Sequence, residues 1–586
     1  MPKDSDIPAD LNAVAGDWLA AFEAALTDGG RRAADLFADN GHWRDILSFT
    51  WHIRTFSGHE AIAAGLAETL DRVQPKNFRI APDRWPPRAV MRAGRDCIEA
   101  FYEFETSAGT GNGVLRLVPG EDGWRAWILV TALFELAGHA EHLGLRKAGG
   151  DAFSREWGGR NWQDLRDEAR AYEDRDPAVL VVGGGQAGLG AAARLTHLGV
   201  DTLIVDKHAR IGDNWRSRYH SLTLHNETQV NHLPYMPFPP TWPTYIPKDM
   251  LANWFEAYVE ALELNYWTGT TLIKGRYDDA AGCWDVTLER DGGTRTMRPR
   301  HIVMATGVSA NPIMPDLPGL SDFFGTVMHS GEYSDGKAWK GKRVLIIGTG
   351  NSAHDVAQDL HASGAKVTMV QRASTHIVSL AEAQRVYMIY NEGPPTRDCD
   401  LLATATPYPE LVKAYRHATQ ISKEADKDLL DGLEKAGFRL NDGVDDCGFQ
   451  MSYLQRGGGY YFNVGCSELI AAGEIGLLDY ADVETFEAGG ARLKDASLIE
   501  ADLVVLATGY KNQQETARAF LGDAVADKIG PVWGFGADGE LRNMWKRTPQ
   551  PGLWFTAGSL AQCRIYSRFL ALQIKACEEG LISPER

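Results

Sequence analysis

Ala178-Val-Leu-Val-Val-Gly-Gly-Gly-Gln-Ala-Gly188 runs straight into the Ala-rich stretch Leu189 to Leu198, and Thr202-Leu-Ile-Val-Asp206 follows. An apolar strand, a glycine turn, a helix and a second strand make one βαβ unit. Gly183, Gly185 and Gly188 fall at G-x-G-x-x-G spacing. They allow a tight turn, let the backbone approach a pyrophosphate at the helix N-terminus, and bring helix against strand. Asp206 stands where an acid takes the 2′-hydroxyl of an adenosine ribose. Gln186 and Lys207 join these residues as expected contacts of a bound dinucleotide.

The same grammar returns after a shift of 165 positions, from Gly183 to Gly348. Arg343 to Ile347 reads as a strand, Gly348-Thr-Gly350-Asn351-Ser352-Ala353 as the turn, His354 to Leu360 as the helix, and Val367 to Val370 as the next strand. The shift places Ala353 on Gly188 and Gln371 on Asp206, with Arg372 beside it. An amide next to a guanidinium in place of the ribose-reading acid favours a 2′-phosphate, because arginine offers a planar fork of donors. The first site therefore reads as FAD and the second as NADPH, with NADH tolerated. His301 to Gly307 and Asp502 to Gly509 are apolar strands ending in Ala-Thr-Gly, which adds Thr508 and Gly509 to the expected cofactor contacts. Gly552 to Gly558 and the helical run Ile565 to Ala576 suit closure of the first domain, so the second is inserted into it.

The rest of the composition excludes several classes. The chain has 586 residues, 60 Lys and Arg against 78 Asp and Glu, and a net charge of −18. Such acidity argues against a nucleic-acid binder or a polybasic membrane anchor. The seven cysteines are scattered, without C-x-x-C, so neither a zinc site nor a disulfide framework is expected, and no metal. No long apolar run and no signal-like N-terminus appear, which points to a cytoplasmic protein. With no cysteine between Cys97 and Cys283 and no close pair later, a dithiol relay is disfavoured.

Phe323-Phe-Gly-Thr-Val-Met-His329-Ser-Gly-Glu-Tyr333 fits F-x-G-x-x-x-H-x-x-x-Y. With both glycine turns and Ala305-Thr-Gly307, it makes residues 175 to 586 resemble the class B flavoprotein monooxygenases. These are the flavin-containing monooxygenases and their Baeyer–Villiger relatives. The resemblance implies that NADPH reduces FAD, that oxygen adds at flavin C4a, and that the C4a-(hydro)peroxyflavin oxygenates a small organic substrate. Trp215 in Gly212-Asp-Asn-Trp matches the family's flavin-adjacent turn. His225-Asn226 stands where amine-oxidising members carry a flavin-facing Asn. This order is similar to type II flavin-containing monooxygenases and plant auxin-forming enzymes, which act at carbonyl carbon. His225 is thus expected to hydrogen-bond the peroxyflavin or a carbonyl, with Asn226 in support. Tyr333-Ser334 in place of Trp-Pro departs from the Baeyer–Villiger fingerprint. Baeyer–Villiger oxidation of ketones is the first expectation; N- or S-oxygenation and a non-oxygenating flavin reductase remain alternatives.

Ahead of this lie helix patterns at Leu11 to Leu26 and Ala61 to Val73, then strand patterns at Ile98 to Thr106, Gly111 to Val118 and Trp124 to Leu136. With Leu36-Phe-Ala-Asp-Asn-Gly-His-Trp43 they resemble the SnoaL-like α+β cone, and His42, Asp45 and His52 are its pocket candidates. The expected class is α/β, with two Rossmann-like domains behind that cone. The expected division is 1–165 cone, 166–338 first part of the FAD domain, 339–500 NADPH domain with a helical insertion, and 501–586 second part of the FAD domain. Residues 151 to 176 read as a linker. Leu233 to Pro243, with five prolines, reads as an ordered loop over the flavin. A small-molecule substrate, O2 and a homodimer complete the expectation.

Overall fold

The computed structural model describes residues 8–27, 30–147 and 157–585. Two five-stranded sheets form its centre, and every strand pair in them is parallel. Their inner strands are short Val-, Ile- and Leu-rich runs buried over nearly all their length, as a sheet covered on both faces requires. The first sheet runs Asn265–Trp267, Thr202–Val205, Val179–Val182, His301–Met304, Leu553–Phe555. The second runs Gly476–Asp479, Lys366–Gln371, Arg343–Ile347, Leu503–Leu506, Thr326–His329. Each carries a three-stranded antiparallel excursion, at 270–297 and 483–500.

The two sheets differ in where their last strand comes from. Leu553–Phe555 returns from the far C-terminus to complete the first, while Thr326–His329 completes the second from upstream. The boundaries drawn at 338/339 and 500/501 are therefore corrected. Thr326–His329 and Leu503–Leu506 both pair inside the second sheet, so that unit begins before residue 326 and extends past 506. The sequence marked the glycine turn as the start of a domain, but the edge strand ahead of that turn lies within the Phe323–Tyr333 motif and already belongs to the second sheet.

The front of the chain is an α+β unit: a mixed seven-stranded sheet over residues 37–136, with helices Leu11–Leu26, Arg31–Ala34 and His59–Val73 on one face. The space between them is filled by aromatic rings. Trp18 stacks on Phe22, Trp43 on Phe56 at 4.6 Å and Phe78 on Phe104 at 5.1 Å. Its three pocket candidates are already engaged. Asp45 is buried and accepts from Ser48, Thr50 and Thr131. His42 meets Ser57 and Glu410, and His52 meets Arg547.

The other sheet face packs into the core of the first nucleotide domain, where Phe101, Val130 and Leu133 join Leu189, Phe569 and Leu401. Charged groups fasten the same contact. Arg44 holds Glu540 and Arg84 holds Asp398 at 2.7 Å, while within the N-terminal sheet itself Glu99 takes Arg88, Arg92 and Arg116 at once. Burial alone would raise the Glu99 pKa, but Arg116, Arg92 and Arg88 bring it down to about 2. Arg88 and Arg92 also reach Glu392, in the insertion.

That insertion spans residues 380–456 and is helical, from Leu380–Ala383 through Gly448–Arg456. The proline-rich loop packs toward the N-terminal unit: Phe238 stacks on Trp242 and Tyr235 donates to Glu141. The linker is partly outside the described residues; its remainder holds the helix Trp162–Ala171, opened by an Asn161 capping box.

Candidate functional site

A cavity of about 560 Å³ opens at the C-terminal edge of the first sheet, where open α/β folds bind ligands. Gly183, Gly185, Gln186, Asp206, Lys207 and Trp215 all line it. Gly183 has φ +108, and a Cβ there would lie 2.6 Å from the Ala305 carbonyl oxygen. Gly188 faces the turn: its Cβ would meet the Gly183 oxygen at 2.0 Å, so only hydrogen fits. Gly185 caps the helix Gln186–His197, and a Cβ there would lie 3.0 Å from the Asn214 side-chain nitrogen. Asp206 accepts from the Gly184 amide at 2.7 Å and from the amide and ring of His208. Burial opposes its charge, yet these hydrogen bonds, led by the His208 ring, hold its pKa below the ordinary value.

Sequence reasoning missed the opposite wall. Residues 305–311, Asn214, Arg218 and Gly558 complete the cavity. The Ala-Thr-Gly ending of strand His301–Met304 was the signal, and it brings Thr306, whose buried hydroxyl has no partner. A glycine cradle, a helix N-terminus, an acid at the second strand's end and an orphaned hydroxyl fit a dinucleotide. Gln186 and Trp215 are bonded to each other, and Gln186 donates to the Gly558 carbonyl, tying the C-terminal segment to the turn.

The second turn repeats this geometry. Gly348 has φ +126, with a Cβ position 2.5 Å from the Ala507 oxygen, and Gly350 caps the helix Asn351–Ala362. Ala353 is fully buried, and Ser352 is half-buried. Asn351 accepts from the Phe462 amide at 2.9 Å, so it anchors the strand Tyr460–Asn463. Gln371 is buried, bonded through both side-chain atoms to the Arg439 backbone. Arg439 in turn donates to the carbonyls of Gln371 and Arg372, and the Arg372 residue itself is exposed.

Thr508 and Gly509, assigned with residues 501–586 to the flavin unit, are corrected: they follow the strand Leu503–Leu506 of the second sheet. Thr508 donates to the Ile313 carbonyl at 2.6 Å. His329 accepts from the Gly331 amide at Nδ1 and donates from Nε2 to the Gly509 carbonyl at 3.2 Å. Burial lowers its pKa. It is a neutral ring that fixes one edge of the second turn.

His225 and Asn226 lie on the strand Thr223–Glu227. His225 is exposed at its surface, and desolvation by the protein around it lowers its pKa to about 4. Phe462 packs on its ring at 4.7 Å. The Asn226 amide donates to the Tyr387 hydroxyl at 3.2 Å, and Gln384 donates to the His225 carbonyl at 2.8 Å. Both partners come from the insertion, through the 3-10 segment Gln384–Asn391. Residues three apart eclipse on such a helix, so Gln384, Tyr387 and Tyr390 share one edge.

Two parallel sheets, each with a glycine turn at its C-terminal edge, define a protein with two Rossmann-like units. The flavin-binding monooxygenase-like family model matches residues 177–525, more than half of the chain, and the chain belongs to that family.

Among curated relatives, rice (Oryza sativa subsp. japonica) indole-3-pyruvate monooxygenase YUCCA1 is 39% identical over 216 residues, 36% of this chain. The chain spans about half of that relative's length, 52%. The probable indole-3-pyruvate monooxygenase YUCCA3 of Arabidopsis thaliana is 30% identical over 57% of this chain and 73% of its own. A structure of cyclohexanone monooxygenase with bound ε-caprolactone has a TM-score of 0.52 at 18% identity, covering 69% of this chain and 88% of that one. That likeness speaks to the fold. Among the described residues no helix is long and apolar enough to cross a membrane.

Proposed function

We propose that the first turn holds FAD and the second NADPH, and that the enzyme inserts oxygen beside the carbonyl carbon of a small ketone, a Baeyer–Villiger oxidation. Reduced by NADPH, bound FAD supplies the activated oxygen. The chain supplies the rest. Gly183, Gly185 and the helix N-terminus seat the pyrophosphate, and Asp206 takes the ribose. Arg372 reads the 2′-phosphate of the second nucleotide while tolerating NADH. His329 fixes the edge of the second turn.

The observation that carries the carbonyl reading is the uncharged character of the groups around His225. Desolvation lowers the pKa of its ring to about 4, and the Asn226 amide, the Tyr387 hydroxyl and the Phe462 ring carry no charge. A neutral ketone suits such a surface, whereas a protonated amine needs a carboxylate to offset its desolvation. The relatives named for indole-3-pyruvate act, by that name, on a carbonyl compound as well.

The test is product analysis with a cyclic ketone, a thioether and an aryl 2-oxo acid in parallel, with NADPH and hydrogen peroxide both counted. Lactone formation matched to NADPH supports the proposal. Sulfoxide alone replaces it with heteroatom oxygenation, and peroxide alone with a flavin reductase. We further read the N-terminal unit as a SnoaL-like cone acting as a wall of the site, in a cytoplasmic homodimer. Its filled aromatic core and its ion pairs to the insertion support the wall, and sedimentation velocity measures the dimer.

A further inference from the structure

Resting on the carbonyl reading above, we propose that Tyr387 is a further catalytic residue, whose phenolic O–H donates to the substrate's carbonyl oxygen beside His225. The Asn226 side-chain amide donates to the Tyr387 oxygen. A phenol that accepts in this way keeps its own hydrogen for another acceptor. Among the described residues no acceptor is found for it, and the residue as a whole is half-buried.

The position is built rather than incidental. Gln384, one 3-10 turn earlier, fixes the segment to the His225 carbonyl, and Tyr390, one turn later, donates to Asp400 at 2.8 Å. Asp400 is itself held by Arg564 of the helix Leu560–Glu578. At the segment's end, Gln229 donates to Asn391, and Glu392 is clamped by Arg88 and Arg92 of the N-terminal unit. Tyr387 is thus pinned on both sides within a stretch of irregular helix. Asn226 fixes its oxygen from the strand that carries His225.

The chemistry asks for such a group. When a nucleophile adds to a ketone carbon, negative charge develops on the carbonyl oxygen, and a fixed donor aimed at that oxygen stabilises it. Burial raises the Tyr387 pKa, against a smaller opposing effect from Asn226. The phenol therefore remains protonated and acts as donor without giving up its proton. Asn226 becomes a positioning residue for the phenol.

The experiment uses the full-length, FAD-loaded oxidised enzyme without NADPH, so that nothing turns over. Cyclohexanone carrying ¹³C at the carbonyl is the probe, and the carbonyl stretch is read by infrared difference spectroscopy. In the parent enzyme the bound band moves to lower frequency. In Tyr387→Phe, which keeps the ring, ketone still binds and the band returns toward its unbonded frequency. Asn226→Asp, which turns the donor into an acceptor and captures the phenol hydrogen, does the same. In turnover, kcat/KM for the ketone falls on the order of 10²-fold in Tyr387→Phe, the usual cost of one such donor. A shifted band that persists in Tyr387→Phe overturns the assignment while leaving the carbonyl reading in place. Failure of the parent enzyme to bind ketone, with sulfoxide formed from a thioether, overturns the carbonyl reading and this proposal with it.

Discussion

The two glycine turns of this chain superimpose in sequence by a shift of 165 positions, yet they use their second-strand residues in opposite ways. Asp206 keeps its carboxylate at the cavity, steadied by the Gly184 amide and by His208. Gln371, its counterpart, is turned away and spent on the backbone of Arg439, 68 residues downstream. The motif specifies a turn and a helix. Which ligand that turn reads is decided by contacts arriving from elsewhere in the chain, and the comparison can be broken or sharpened by exchanging residues between the two halves.

The largest effect is expected at the third motif position. Gly188→Ala installs the methyl that the second turn already carries as Ala353, but in the first turn that atom meets a carbonyl oxygen at 2.0 Å. Relief requires backbone movement, with a cost of about 3 kcal/mol. The purified protein should lose its yellow colour, its flavin-to-protein absorbance ratio falling at least tenfold. Full colour would mean that the two turns are interchangeable.

His354 comes next. The shift aligns it with Leu189; it stacks on Tyr461 at 3.9 Å, and burial brings its pKa down to about 4. An unfolded histidine titrates near 6.5, so between those values the unfolded chain binds the proton and the folded chain does not. Stability therefore falls as pH drops from about 6.5 to 4, by about 3 kcal/mol at the lower end. His354→Leu should flatten that part of a urea-denaturation series against pH. An unchanged slope would remove the assignment.

Asp206→Ala deletes the acceptor of three hydrogen bonds and should weaken FAD retention by about 2 kcal/mol, roughly thirtyfold, measured by equilibrium dialysis. Arg372→Ala is the mildest change. It should raise KM for NADPH about tenfold and leave that for NADH unmoved, because only the 2′-phosphate is lost from recognition. A parallel rise for both nucleotides would make Arg372 a general contact.

Much of this was legible in the sequence because it is local. The strand Arg343–Ile347 and the helix Leu11–Leu26 have the ends that their apolar patterns mark. Gly183, Gly185, Asp206 and Trp215 meet at one cavity because strand, turn and helix are fixed within some thirty residues. What was not legible depends on separation. Thr326–His329 joins a sheet whose other strands all lie further along the chain, and nothing in its sequence says which domain it edges. Gln371 aligns with the ribose-reading Asp206, but nothing local shows that its side chain is taken by the Arg439 backbone. Tyr387 sits in a stretch without strong periodicity, and its hydrogen bond spans 161 residues. The N-terminal unit shows the same limit, since its helices and strands are patterned while Arg88, Arg92 and Glu392 find one another across three hundred residues.

The central claim is that NADPH at the second turn drives insertion of one oxygen atom beside the carbonyl carbon of a small ketone. Turnover of cyclohexanone under ¹⁸O2, with the product weighed by mass spectrometry against NADPH consumed, tests it most directly. The account predicts a lactone heavier by one ¹⁸O atom, one for each NADPH oxidised. Consumption of NADPH that yields only hydrogen peroxide, with every candidate ketone and 2-oxo acid recovered unchanged, would contradict it.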